Sequence, residues 1–147
     1  AIRRQRQMCI RDRERGVIWG DRDLLLSLLY NLLDNAVKAV EEGGFILMKG
    51  SKRTQGYEIK VVDNGRGIPQ EEIARITEAF YMVDKSRSRK EGGAGVGMAL
   101  CQKIITLHQG ELKIDSKLGE GTVMRLYFPG EIHAVKNKSN RGAKGGI

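Results

Sequence analysis

Long apolar runs are missing from this sequence, and with them any stretch near the roughly 20 residues that cross a bilayer as a helix. The first residues are basic, but no apolar segment or small-residue cleavage site follows, so no signal peptide is read and a cytoplasmic setting is expected. Cysteine and histidine are scarce, at two each. Cys9 and Cys101 lie far apart with no Cys-x-x-Cys pair, and His108 and His133 add too few ligands for a metal cluster, so a reducing compartment fits. Two familiar phosphate motifs are absent as well. The glycines at 92, 93, 95 and 97 do not follow Gly-x-Gly-x-x-Gly spacing, and no Gly-x-x-x-x-Gly-Lys-Ser/Thr occurs, so Rossmann and P-loop nucleotide binding are excluded.

What is present is the composition of one globular domain, with 40% hydrophobic and 30% charged residues in a chain of 147, long enough to bury a core. The net charge of +8 points to nucleic acid until it is located along the chain. Six arginines in residues 1–15 stand against Asp12 and Glu14, and four basic residues in 130–147 stand against Glu131, which leaves only +1 for residues 16–129. Solvated ends explain this pattern better than a binding face, and no nucleic-acid partner is expected. Residues 1–15 read as a basic linker, 16–129 as the folded domain and 130–147 as a disordered tail.

Within the domain, Gly16 to Trp19 suits a short strand, and Asp21 is a good N-cap for a helix from Arg22 to about Glu42, closed by Gly43 and Gly44. Leu25, Leu29, Leu32, Leu33, Ala36 and Val40 form its apolar face, and Asn31, Asp34, Asn35 and Lys38 follow helical spacing on the opposite one. Such a stripe is either solvated or a ligand site. Asparagine is a poor helix former, and an amide oxygen suits Mg²⁺ while a lysine one turn on could reach a phosphate. Strands are expected at Phe45–Ser51 and Tyr57–Val62, and Pro69 opens a helix to about Glu78. A basic, glycine-rich loop from Phe80 to Gly97 leads into an apolar helix from Met98 to about His108, whose N-terminus would attract anions. Glu111–Ser116 and Thr122–Phe128 alternate as a hairpin, and Pro129 ends the domain.

The stretch Val61-Val62-Asp63-Asn64-Gly65-Arg66-Gly67-Ile68-Pro69 joins a strand to a carboxylate and two glycines. Glycines at 65 and 67 permit positive φ and close approach of a flat ligand, and an acceptor-only carboxylate at Asp63 can take a hydrogen bond from an exocyclic amine. A plain turn after a strand fits the same residues.

Asn31 to Lys38, Asp63 to Pro69, Phe80, Gly92 to Gly97 and Gly119 to Thr122, in this order, resemble the catalytic, ATP-binding domain of sensor histidine kinases over roughly residues 16–129. Gyrase-type and mismatch-repair ATPases share that fold. The resemblance implies an α/β sandwich, a mixed sheet of about five strands covered on one face by about three helices, with a flexible ATP lid. It implies ATP and Mg²⁺ as ligands, with Asn35 on the metal, Asn31 beside it and Lys38 near the phosphates. Asp63 would bind adenine N6, Gly65 and Gly67 would shape the pocket, Ile68 would line it and Thr122 would complete the adenine end. Phe80 would anchor the lid, and Gly93, Gly95 and Gly97 would hinge it.

Two positions depart from the pattern. Ala39 stands where many members carry an aromatic residue, and Met82 where many carry an arginine. Lys85, Arg87 and Arg89 are the expected substitutes for that cation. At position 31 the ATPase branches place a glutamate as general base, whereas this amide cannot accept a proton, so transfer to a histidine is favoured over hydrolysis. The acceptor is expected on a separate dimerisation domain, which would join at residues 1–15, with a response regulator as the next partner. His108 before Gln109-Gly110 and His133 in the tail lack the acidic neighbour that the family's acceptor has. The competing readings are a nucleotide-gated binding module and an ATPase of the same fold.

Overall fold

The computed structural model describes residues 15–78 and 97–130, together with the backbone of Gln7–Arg11. The chain runs β1 (Gln7–Arg11), α1 (Arg22–Ala39), β2 (Phe45–Arg53), β3 (Gly56–Asp63), α2 (Gln70–Ile73), α3 (Gly97–Leu107), β4 (Glu111–Lys117) and β5 (Gly121–Pro129). The strands are ordered β1-β2-β3-β5-β4. Four of them, β2 to β5, pair antiparallel, which places β3 at the centre and makes β4–β5 the expected hairpin.

Alternation along the strands selects the buried face. Ile46, Ile59, Val61, Met124, Leu126 and Phe128 point to one side, where they meet Leu28, Leu32, Ala36 and Val40 near α1 and Met98, Cys101, Ile104 and Ile105 of α3. The most buried line on the first helix is thus 28, 32, 36 and 40, spaced by four. Leu28, 0% exposed, was outside the apolar face read from the sequence, and Leu25, Leu29 and Leu33 flank the line half-buried. On the opposite side of the sheet lie ion pairs such as Arg53–Glu58 at 2.7 Å and Arg125–Asp115 at 3.3 Å. Cys101 is wholly buried, and burial pushes its thiol up to about 12, so it behaves as a core residue rather than a reactive one.

Three expectations are corrected. Gly16–Trp19 forms no strand, while Gln7–Arg11, inside the stretch read as a linker, pairs in parallel with β2. A parallel pair needs a crossover, and α1 supplies it, so β1 occupies the edge that residues 16–19 would have needed. The first helix stops at Ala39 rather than near Glu42: Val40 turns extended (φ −88, ψ 131) and enters the core, and Arg66 N–H donates to the Ala39 carbonyl at 3.1 Å. The helix after Pro69 is a single turn that buries no residue. Beyond it Arg75 N–H bonds Glu72 O and Glu78 N–H bonds Arg75 O, the tighter i to i−3 pattern that suits apolar residues three apart at Ile73 and Ile76.

The two longer helices are closed by local chemistry. Asp21 Oδ1 accepts from Leu24 N–H at 3.0 Å at the start of α1. At the end of α3, Gly110 N–H reaches Ile105 O at 2.8 Å and Gln109 N–H reaches Thr106 O at 3.0 Å, with Gln109 left-handed at φ 57. That is a Schellman motif with glutamine where glycine is preferred. Gln109→Gly should therefore raise stability by about 0.5–1 kcal/mol, read as a higher urea midpoint with unchanged slope.

Candidate functional site

The site grows from the C-terminal end of the central strand. Asp63 is the last residue of β3, only 7% exposed, and faces Thr122 of β5, itself 6% exposed, on the helix-covered side of the sheet. Asp63 Oδ1 accepts from Gly65 N–H at 2.8 Å, which folds the chain back on itself after the strand. Asn64 then turns outward and its Oδ1 accepts from Phe45 N–H at 2.7 Å, tying this turn to the start of β2.

The two glycines are required for the protein's own packing. A Cβ on Gly65 would lie 2.5 Å from the Ala39 carbonyl oxygen, and one on Gly67 would lie 2.1 Å from that of Lys117. Only Gly67 has positive φ, at 71, so the expectation of positive φ at Gly65 is corrected: close approach to the end of α1 is what that position demands. Between them Arg66 does three jobs. Its N–H holds Ala39 O, its guanidinium reaches Lys38 O at 3.4 Å, and its carbonyl accepts from Gly119 N–H at 2.7 Å.

Ser116, at the end of β4, closes the other side. Its Oγ accepts from Ile68 N–H at 2.8 Å, donates to Gly121 O at 2.9 Å and lies 2.8 Å from Thr122 Oγ1, while its carbonyl accepts from the Gln70 side chain. Asp63, Gly65, Gly67, Ile68 and Thr122 are thus brought together. Arg66 and Ser116 carry no sequence signal of their place here: the first lies between two glycines, and the second is a lone serine in an alternating strand.

On α1, Asn31, Asp34, Asn35 and Lys38 share a stripe that ends at the Ala39–Arg66 contact. Lys38 Nζ pairs with Asp34 Oδ2 at 3.0 Å, and Asn31 Nδ2 donates to Ser27 O at 2.9 Å. The remaining amide oxygen of Asn31 lies beside Gly97, 3.3 Å from where a Cβ would stand, so the stripe meets the start of α3. A surface groove of about 580 Å³ runs along the outer side of α1 past Asn31 and Asp34. Phe80, Lys85, Arg87, Arg89, Gly93 and Gly95, with Met82, lie outside the described residues.

Burial raises the Asp63 carboxyl above the usual carboxylate range, and the Gly65 and Thr122 backbone N–H groups and the Arg66 charge oppose it. No cluster of three or more His, Cys, Asp or Glu side chains is present among the described residues, so no all-protein metal cage is formed there. The oxygen donors on the stripe are the amides of Asn31 and Asn35 and the carboxylate of Asp34, all hard ligands. That set suits a cation that keeps waters and phosphate oxygens, as Mg²⁺ does. Among the described residues no helix is long and apolar enough to cross a membrane.

The sequence pattern of the family described as histidine kinase-, DNA gyrase B-, and HSP90-like ATPase matches residues 20–132. The sensor-like histidine kinase SenX3 of Mycobacterium tuberculosis is 36% identical over 117 residues, 80% of this chain and 28% of that protein. The chain therefore spans less than a third of that relative's length. Among solved structures, the mycobacterial sensor histidine kinase MprB superposes with a TM-score of 0.72 at 25% identity, covering 86% of this chain and 82% of that one. Full-length ShkA in complex with AMPPNP superposes with a TM-score of 0.69 at 28% identity, covering 85% of this chain and 25% of that one.

The raised Asp63 pKa sets a pH dependence. A carboxyl that binds its proton more tightly when folded contributes stability below its unfolded pKa and loses it as pH rises through the folded value. The nucleotide-free domain should thus lose this contribution on going from acid to neutral pH. Asp63→Asn, which keeps an acceptor for Gly65 N–H, should melt at or above the unaltered chain at pH 7, with the advantage shrinking as the pH is lowered.

Proposed function

The chain belongs to the histidine kinase-, DNA gyrase B- and HSP90-like ATPase family, and from that premise we propose that it is the ATP-binding catalytic domain of a two-component sensor histidine kinase. It transfers the γ-phosphate of Mg-ATP to a histidine on a separate dimerisation domain, from which a response regulator receives it. ATP follows from the family, and the AMPPNP bound to ShkA supports the same ligand class here. The choice of kinase over hydrolase rests on Asn31. Its Nδ2 is committed to Ser27 O, and an amide offers no base to deprotonate water where the ATPases of this fold carry a carboxylate.

The proposed roles are those the resemblance implies, supported by burial and pairing where the residues are described. Asp63, buried and acceptor-only when ionised, takes the exocyclic amine of adenine, with Thr122 beside it and Gly65, Gly67 and Ile68 forming the wall. Asn35 would hold Mg²⁺, Asn31 would support that side of the site, and Lys38, once drawn from Asp34, would approach the phosphates. When bound, the metal would supply charge neutralisation to the triphosphate. The resemblance assigns the lid roles to Phe80, Gly93, Gly95 and Gly97, and Lys85, Arg87 or Arg89 is the proposed source of the cation that Met82 does not supply. An imidazole nitrogen attacks the γ-phosphorus in line, the bond to the β–γ bridging oxygen breaks, and ADP leaves. Positioning and charge neutralisation are the protein's contribution.

Asn35→Ala should leave the fold intact and weaken Mg-dependent ATP affinity by tenfold or more, about 1.4 kcal/mol, measured by calorimetry with and without Mg²⁺. Unchanged affinity in Mg²⁺ removes Asn35 from the metal site.

The acceptor lies elsewhere than His108. That ring accepts from Asp21 N–H at Nε2 (3.1 Å) and donates from Nδ1 to Ile104 O (2.7 Å), so both nitrogens are engaged. Radiolabelled ATP should leave no acid-labile phosphate on this chain alone and should label an added cognate histidine-bearing helical domain. Label on His108 or His133 overturns this assignment.

A further inference from the structure

We propose that Ser116 is a positioning residue for base selection, acting through Thr122; the inference rests on the adenine site described above. A serine hydroxyl has one hydrogen and two lone pairs. Ser116 Oγ has three partners: Ile68 N–H, which can only donate to it; Gly121 O, which can only accept from it; and Thr122 Oγ1. Its single hydrogen therefore goes to Gly121 O and one lone pair to Ile68 N–H. Only the second lone pair remains for Thr122, so Thr122 must donate.

The consequence falls on Thr122. With its proton committed to Ser116, Thr122 Oγ1 offers a ligand only lone pairs. Asp63 faces Thr122 across the β3–β5 ladder and is likewise acceptor-only when ionised. Side by side, two acceptors at a buried edge match an amino group with two N–H bonds, as on C6 of adenine. They oppose a carbonyl oxygen at the same position, as in inosine and guanine. A threonine free to rotate would lose this discrimination, because its hydroxyl could turn and donate to that oxygen. Ser116 acts through its protein partners and fixes the polarity of the Thr122 hydroxyl.

The test compares ATP with inosine triphosphate, which differs at C6, by calorimetry on the 147-residue chain. The unaltered chain should prefer ATP. Ser116→Ala should narrow the ATP-to-ITP affinity ratio about tenfold, the scale of one buried hydrogen bond, whereas Ser116→Thr, which keeps the hydroxyl, should retain the ratio. In a Thr122→Val background, Ser116→Ala should leave the ratio where Thr122→Val alone puts it. Should Ser116→Ala fail to fold by circular dichroism, Ser116→Cys carries the same comparison, since a thiol fills the space and bonds weakly. Equal loss of ATP and ITP affinity makes Ser116 a fold residue only and overturns the proposal, as does an equal shift of the ratio with and without the Thr122 hydroxyl. Failure of the unaltered chain to bind ATP overturns the adenine site itself and this inference with it, an outcome read before any variant is made.

Discussion

The peptide groups on either side of Arg66 hold the site end of the molecule together. Its N–H closes α1 on the Ala39 carbonyl and its C=O receives Gly119 N–H from the β4–β5 turn. A helix end and a hairpin end, each with backbone groups otherwise facing solvent or void, are thereby satisfied by one residue. This requires the loop to lie against both, which is why Gly65 and Gly67 have backbone oxygens where side chains would be. The stripe on α1, the end of β3 and the hairpin take fixed relative positions from that contact.

A second constraint is the unfavourable burial of Asp63. Its carboxylate is held where desolvation disfavours charge, and only two backbone N–H groups and the Arg66 charge offset this. Such a group weakens the empty domain at neutral pH and favours a ligand that brings a donor. A side chain kept at such a cost to stability is the kind found at binding sites.

Much of the architecture was legible because its signals are periodic. Alternation marked β2 to β5 to within a few residues, the Asp21 cap marked the start of α1, and the ordered boxes identified the family. What escaped was set by tertiary contacts. The end of α1 depends on a loop 27 residues further along, at Arg66, whose hydrogen bond to Ala39 no local pattern announces. The strand at Gln7–Arg11 is only five residues long and its parallel pairing depends on a crossover that no local pattern announces, and Leu28 looked like one leucine among many until α3 packed over it. Ser116 was invisible for the plainest reason: a serine in a strand carries no signal of how many partners it serves.

The β3–β5 pairing also dictates when the site can exist during folding. β2 and β3 are neighbours in sequence and can zip as a hairpin early, but β5 arrives from beyond α3 before Thr122 can stand opposite Asp63. Such non-local closure is slow relative to hairpin formation. Until it happens, Asp63 is solvated and Ser116 has no Thr122 or Gly121 aligned beside it. A nascent or partly folded chain therefore lacks the Asp63–Thr122 pair, and the geometry of that edge is gained only once β5 has docked.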